Sequence, residues 1–214
     1  MRHRLAILLP LLFAITLAPS AASDPPAVAA LGIDLAGLPR EVPSIEGVER
    51  RLFQDGRVYI AGQPSEAALR KFRALGVTLD VNLRTAEELA DKEQVPYDEA
   101  ALAKELGLEF VHLPIGGKEL PWRPEVLDRL HEALGRHSGP VLLHCTVAWR
   151  ASYVWAAYLV KYGGLTMEQA MARGRAIGIG EDPIAGLLGR PTQLVLVDPP
   201  PAAQPATPPP PGKP

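Results

Sequence analysis

The sequence predicts an α/β protein, a three-layer sandwich with a central, mostly parallel sheet. Three observations point there. Short aliphatic and β-branched runs alternate with stretches of helical periodicity along the body of the chain. One such run, "GPVLLHC" (139–145), is apolar on both faces, as a strand in the middle of a parallel sheet must be. The composition, 47% hydrophobic and 21% charged over 214 residues, suits one globular domain with trimmings.

The elements follow in order. "GRVYIAG" (56–62) reads as a short strand, and "PSEAALRKFRALG" (64–76) as a helix with Ser65 as N-cap and Gly76 just past its end. "VTLDVNL" (77–83) is the next strand. Thr85 and Glu88 have capping-box spacing at the start of a short helix that Pro96 is expected to end. "YDEAALAKELG" (97–107) is a helix closed by Gly107, and "LEFVHLPI" (108–115) a strand. In "RPEVLDRLHEALGRH" (123–137), Val126, Leu127, Leu130 and Leu134 fall at helical spacing. After the central strand, "RASYVWAAYLVKYGG" (150–164) is a helix apolar nearly all round, hence buried. "TMEQAMARGRAIG" (166–178) is the last helix.

Both ends stand apart from this body. "MRHR", an apolar run of 14 residues containing Pro10, and "PSAAS" read as a secretory signal peptide over 1–22. A membrane span needs about 20 apolar residues, so no stable membrane insertion is expected once the leader is cleaved. Export points to the bacterial periplasm. Residues 196–214 form a proline-rich tail unable to pack a core, leaving about 30–195 as the domain. The formal charge of −2 offers no basis for nucleic acid as a partner. His112, His131 and His137 fall on different elements without ligand spacing, so no metal is expected, and no glycine-rich nucleotide fingerprint follows a strand, so no cofactor.

Chemistry concentrates in "HCTVAWRAS" (144–152), which holds the only cysteine. An exported chain with a single cysteine cannot close an internal disulfide, so the thiol is either well buried or kept for its reactivity. It sits where a parallel sheet binds ligands, between the carboxyl end of a central strand and a helix N-terminus. Free N–H groups of the first helical turn and the helix dipole make an anion cradle there. That field favours thiolate at Cys145, and Arg150 can add a planar two-bond clamp on an oxyanion. His144, the last strand residue, either tunes Cys145 or satisfies a backbone carbonyl.

This loop resembles the active-site loop of cysteine-dependent phosphatases of the dual-specificity and protein tyrosine type. The chain is more closely similar to the bacterial phosphatase-like domain associated with beta-lactamase-hydrolase-like proteins. The segments that carry the likeness are "VYIAGQPSEAALRKFRALGVTLDVNLRTAEEL", "VHLPI", the "HC…R" loop and "MEQAMARGRAIGI". The resemblance implies a cysteine-phosphatase-like fold and a thiolate nucleophile at Cys145. It implies that Arg150 and the backbone of Thr146, Val147, Ala148 and Trp149 hold the anion of a phosphorylated substrate. Asn82 and Arg84, in the "NLR" segment, would sit at the sheet end of the site, with Arg84, like His144, expected among the substrate-binding residues; the alternative for Arg84 is a surface ion pair.

Three departures accompany it. Phosphatase loops place five residues between cysteine and arginine, whereas four stand here, the length of rhodanese-type sulfurtransferase loops. The usual loop glycine is Ala148, and a positive φ there would cost alanine about 1–2 kcal/mol; Trp149 beside it would narrow or cover the opening. The general acid is not evident, with Glu119 of "GGKELP" the nearest carboxylate after "VHLPI". Three readings therefore stand: a phosphatase-like hydrolase, a sulfurtransferase working through a Cys145 persulfide, and a non-catalytic anion-binding module.

Overall fold

In the computed structural model, residues 26–34, 36–116, 122–177 and 187–189 are described. The expected leader, the proline-rich tail and Glu119 lie outside the described residues. A short helix, α1 (Pro26–Leu31), precedes two brief strands, β1 (Arg40–Glu41) and β2 (Phe53–Asp55), and then β3 (Val58–Ala61). From there strand and helix alternate: α2 (Glu66–Ala74), β4 (Leu79–Asn82), α3 (Ala86–Ala90), α4 (Glu99–Glu105) and β5 (Glu109–His112). The chain continues through α5 (Glu125–Arg136), β6 (Val141–His144), α6 (Trp149–Lys161) and α7 (Met167–Ile177).

The six strands form one sheet in the order β1-β2-β3-β6-β4-β5. β3, β6, β4 and β5 run parallel, and β2 and β1 extend one edge antiparallel. The expected α/β sandwich with a mostly parallel sheet is therefore the fold, with β6 inside it. The helix opened by Thr85 stops at Ala90, well before Pro96, and buries no residue. Ser65 accepts from the Ala68 N–H at 3.2 Å to cap α2, and Thr85 and Glu88 cap each other reciprocally.

Alternation along the strands sorts the core into two layers. Val141 and Leu143 of β6, with Leu79 and Val81 of β4, face α5, α6 and α7. Leu142 faces the other way, toward Leu69 and Phe72 of α2 and Leu102 and Ala103 of α4. By the same alternation Asp80, Asn82 and His144 fall on the α2/α4 side. Helix α6 is buried continuously from Ala151 to Leu159, as its apolar sequence requires. The antiparallel edge is tied to it through Asp55, which accepts from Trp155 Nε1 at 2.9 Å and from Arg173 of α7 at 2.8 Å, all three side chains being buried. Among the described residues no helix is long and apolar enough to cross a membrane.

Candidate active site

β6 ends at His144, and Cys145 is the first residue beyond it. Its side chain belongs to the core and is 1% exposed, so the sulfur lies at the floor of the loop. The loop is tied to the neighbouring strand: the Gln63 N–H donates to Thr146 O at 3.0 Å, and Gly62 pairs with Val147 in an isolated bridge. Gly62 is needed there, because a Cβ would stand 2.1 Å from the Glu49 carbonyl oxygen. Ala148 then starts α6 with φ 67° and ψ −10°. The left-handed position anticipated for this residue is real, and alanine occupies it. Its carbonyl accepts from the Ser152 N–H at 2.9 Å and the Ser152 hydroxyl at 2.8 Å, which anchors the strained residue.

Arg150, in the first turn of α6, folds back over the loop. Its Nη2 donates to Thr146 Oγ1 at 2.8 Å, and its Nη1 to the carbonyl of Ile115 at 3.0 Å. The two-bond clamp expected of this guanidinium is made, but on an internal carboxylate. Nη1 and Nη2 donate to Glu88 Oε2 and Oε1 at 2.7 and 2.6 Å. Glu88 also accepts from the Thr146 hydroxyl at 2.8 Å and the Thr85 N–H at 2.8 Å. Burial alone would raise the Glu88 pKa, yet the hydrogen bonds from Arg150, Thr85 and Thr146 hold it down at about 2. Burial alone would lower that of Arg150; Glu88 and the nearby Cys145 reverse this and raise it. Both groups are charged across the working pH range.

Val147 and Trp149 project from the loop, 38% and 47% exposed. Trp149 turns edge-on to Trp122 and Tyr153, with ring centroids 5.8 and 4.9 Å away. A cavity of about 710 Å³ opens beside this face, between Trp149, Val147, Phe53, Arg50 and Ile177.

Residues 53–161 match the family described as "Beta-lactamase hydrolase-like protein, phosphatase-like domain". The chain belongs to this family. The match runs from the first residue of β2 to the last of α6 and so contains Cys145, Arg150 and Glu88. It bears out the resemblance read from the "GQP", "NLR" and "HC…R" segments. Similar solved structures include Tk-PTP in its active form, at 26% identity and TM-score 0.49 over 62% of this chain and 85% of that one. The DUF442 protein of Shewanella putrefaciens CN-32 is 25% identical, with TM-score 0.49 over 68% of this chain and 91% of its own. A cysteine-to-serine form of TpbA from P. aeruginosa, in complex with pTyr, is 19% identical, with TM-score 0.49 over 66% and 80%. No curated protein matches the chain.

Within this phosphatase-like domain, two residues expected at the substrate lie elsewhere. His144 is fully buried on the α2/α4 side of the sheet, its Nε2 2.9 Å from Glu99 Oε1 and 3.1 Å from Asp80 Oδ1. Strand alternation turns its side chain to the face of the sheet opposite Cys145. Burial would lower its pKa, but the two carboxylates raise it to about 10; burial raises that of Asp80 to about 6. Arg84 is 1% exposed and is neither a substrate contact nor a surface ion pair. It donates to Gln63 Oε1 at 3.2 Å and Gln94 Oε1 at 2.8 Å, bracing the segment that carries Glu88. Glu88 itself was legible only as a capping residue, since nothing local in its spacing announces a partner at Arg150.

Proposed function

We propose that the domain hydrolyses phosphate monoesters through Cys145. The thiolate attacks phosphorus, the bond to the leaving oxygen breaks, and its electron pair departs on that oxygen. Water then attacks the phosphocysteine, releases inorganic phosphate and restores the thiolate. Backbone N–H groups of Thr146 to Trp149 and the α6 dipole stabilise the charge on the equatorial oxygens. The observation that carries this reading is the convergence of Cys145 and the Arg150 fork within one strand–loop–helix turn. The two-bond contact that the fork makes with the Glu88 carboxylate supports its fit to an oxyanion.

The site also narrows the substrate. Glu88 is the carboxylate at the loop, and with a pKa of about 2 it has no proton to give. Unless Glu119, outside the described residues, supplies the proton, the reaction forgoes general-acid help typically worth about 10²–10⁴-fold, a loss that falls on alkyl esters and spares aryl phosphates, whose leaving groups need no protonation. The leader-like residues 1–22 add the proposal that the domain works after export.

The test is turnover of an activated aryl phosphate by the reduced chain beside Cys145→Ser. Turnover abolished by the substitution upholds the reading; none in either overturns it. One feature favours a second reading, sulfur transfer. With four residues between Cys145 and Arg150, the loop has the length suited to a persulfide. Cys145 would attack the sulfane sulfur of thiosulfate, and sulfite would leave with the electron pair of the broken S–S bond. A one-sulfur mass gain on Cys145 after exposure to thiosulfate, with no phosphate turnover, would select it.

A further inference from the structure

We propose that Asp80, Glu99 and His144 form a binding site for a divalent cation of the zinc class, beneath the sheet end that carries Cys145. The three side chains come from β4, the first turn of α4 and the last residue of β6. Their donor atoms all lie within 4.8 Å of one another. Each residue is at least nine-tenths buried, at 0%, 3% and 0% exposed.

What distinguishes this cluster from a buried ion pair is its unused bonding capacity. Both oxygens of Asp80, Oε1 of Glu99 and Nε2 of His144 have no hydrogen-bond partner among the described residues. The imidazole is close to both carboxylates without being aligned to donate to either. Buried polar atoms left this way are costly, and here one from each of the three residues lies within 4.8 Å of the others. One nitrogen and two carboxylate oxygens, one from each residue, make the three-protein-ligand set of a four-coordinate zinc site whose fourth position is open to water. Zinc bonds of about 2.0–2.2 Å place neighbouring donors roughly 3.3 Å apart, so the pairs at 2.9 and 3.1 Å need open by only a few tenths of an ångström.

Charge points the same way. No lysine or arginine is paired to either acid among the described residues, so two carboxylates are answered only by the His144 imidazole; a divalent cation that displaces the imidazole proton brings the cluster to neutrality. The second oxygen of Glu99 is oriented from outside, accepting from Asn82 Nδ2 at 2.8 Å and Gln63 Nε2 at 2.9 Å, as ligating carboxylates usually are. Glu99 also lines a cavity of about 250 Å³ with Tyr97, Asp98 and Phe110. The bound ion would tie α4 to the ends of β4 and β6.

The experiment uses the full chain carrying Cys145→Ser, so that no thiolate competes, after dialysis against a chelator. Titration with Co²⁺ should give the intense visible absorption of a four-coordinate ion at one equivalent, and Zn²⁺ should displace it and raise the melting temperature. Asp80→Asn and Glu99→Gln, which preserve shape, should each weaken binding at least about 10-fold, as loss of a metal-site contact does. Should either variant fail to fold, nuclear magnetic resonance of the parent decides. Co²⁺ should broaden the His144 ring signals and leave those of His112, His131 and His137 sharp. Absence of the four-coordinate spectrum, undiminished binding in a folded variant, or broadening at the other histidines would overturn the site and leave the cluster a proton-holding one.

Discussion

Ala148 holds φ at 67° in a conformation that costs a residue with a Cβ about 1–2 kcal/mol. Ala148→Gly should therefore raise the unfolding free energy by about 1 kcal/mol, seen as a higher urea midpoint at unchanged slope. An unchanged midpoint would mean that the loop tethers absorb no strain. Glu88 makes the second residue-scale prediction. Glu88→Gln keeps the cap but surrenders the charged hydrogen bonds that orient Arg150, bonds worth about 1.5–3 kcal/mol, so kcat/KM on an aryl phosphate should fall about 10- to 100-fold. Its pKa is depressed from 4.5 to about 2 in the folded chain, so its stabilisation is fully present above about pH 4.5 and lost as pH falls toward 2. Stability curves of parent and Glu88→Gln should then converge with acidification across that window. Curves that stay parallel would deny Glu88 the ion pair. Thr85 and Glu88 were legible as a cap because their partners lie three residues apart. The Arg150 contact, 62 residues away, has no signature in local spacing.

Helices were readable where the chain itself supplies the end. Ser65 before α2 and the positive-φ residues Gly76 and Gly107 behind α2 and α4 all satisfy groups of the same helix, whereas the Asp98 cap of α4 went unread. Ser65→Ala should destabilise by about 1 kcal/mol through the lost Ala68 N–H bond, measurable by denaturant unfolding; no change would assign that N–H to water. Helix α6 was readable as buried because it is apolar on every side. Ala157 on it is 0% exposed, so Ala157→Leu should overpack the core and cost about 1–3 kcal/mol. Strands β1 and β2 escaped detection because two and three residues carry no measurable alternation. Their existence depends on pairing with β3, which no local pattern encodes.

Across the whole molecule, Asp55 and Arg173, 118 positions apart in the chain, join the antiparallel edge to α7. Arg173→Met strands a buried carboxylate and should cost about 3–5 kcal/mol. Adding Asp55→Asn should recover most of that, since the amide oxygen can still accept from Trp155. Failure to recover would locate the cost in packing rather than charge. The amphipathic periods, the caps and the apolar strand leading into Cys145 were sufficient to place the thiol at the carboxyl end of a central strand facing a helix N-terminus. These are local properties, written within one or two turns of chain. Which way His144 points, what fills the Arg150 fork, and the meeting of Asp80, Glu99 and His144 were decided only by folding. Each depends on strand order and on the parity of β4 and β6 against α4, and a one-residue change of register would send the same side chains to the opposite face.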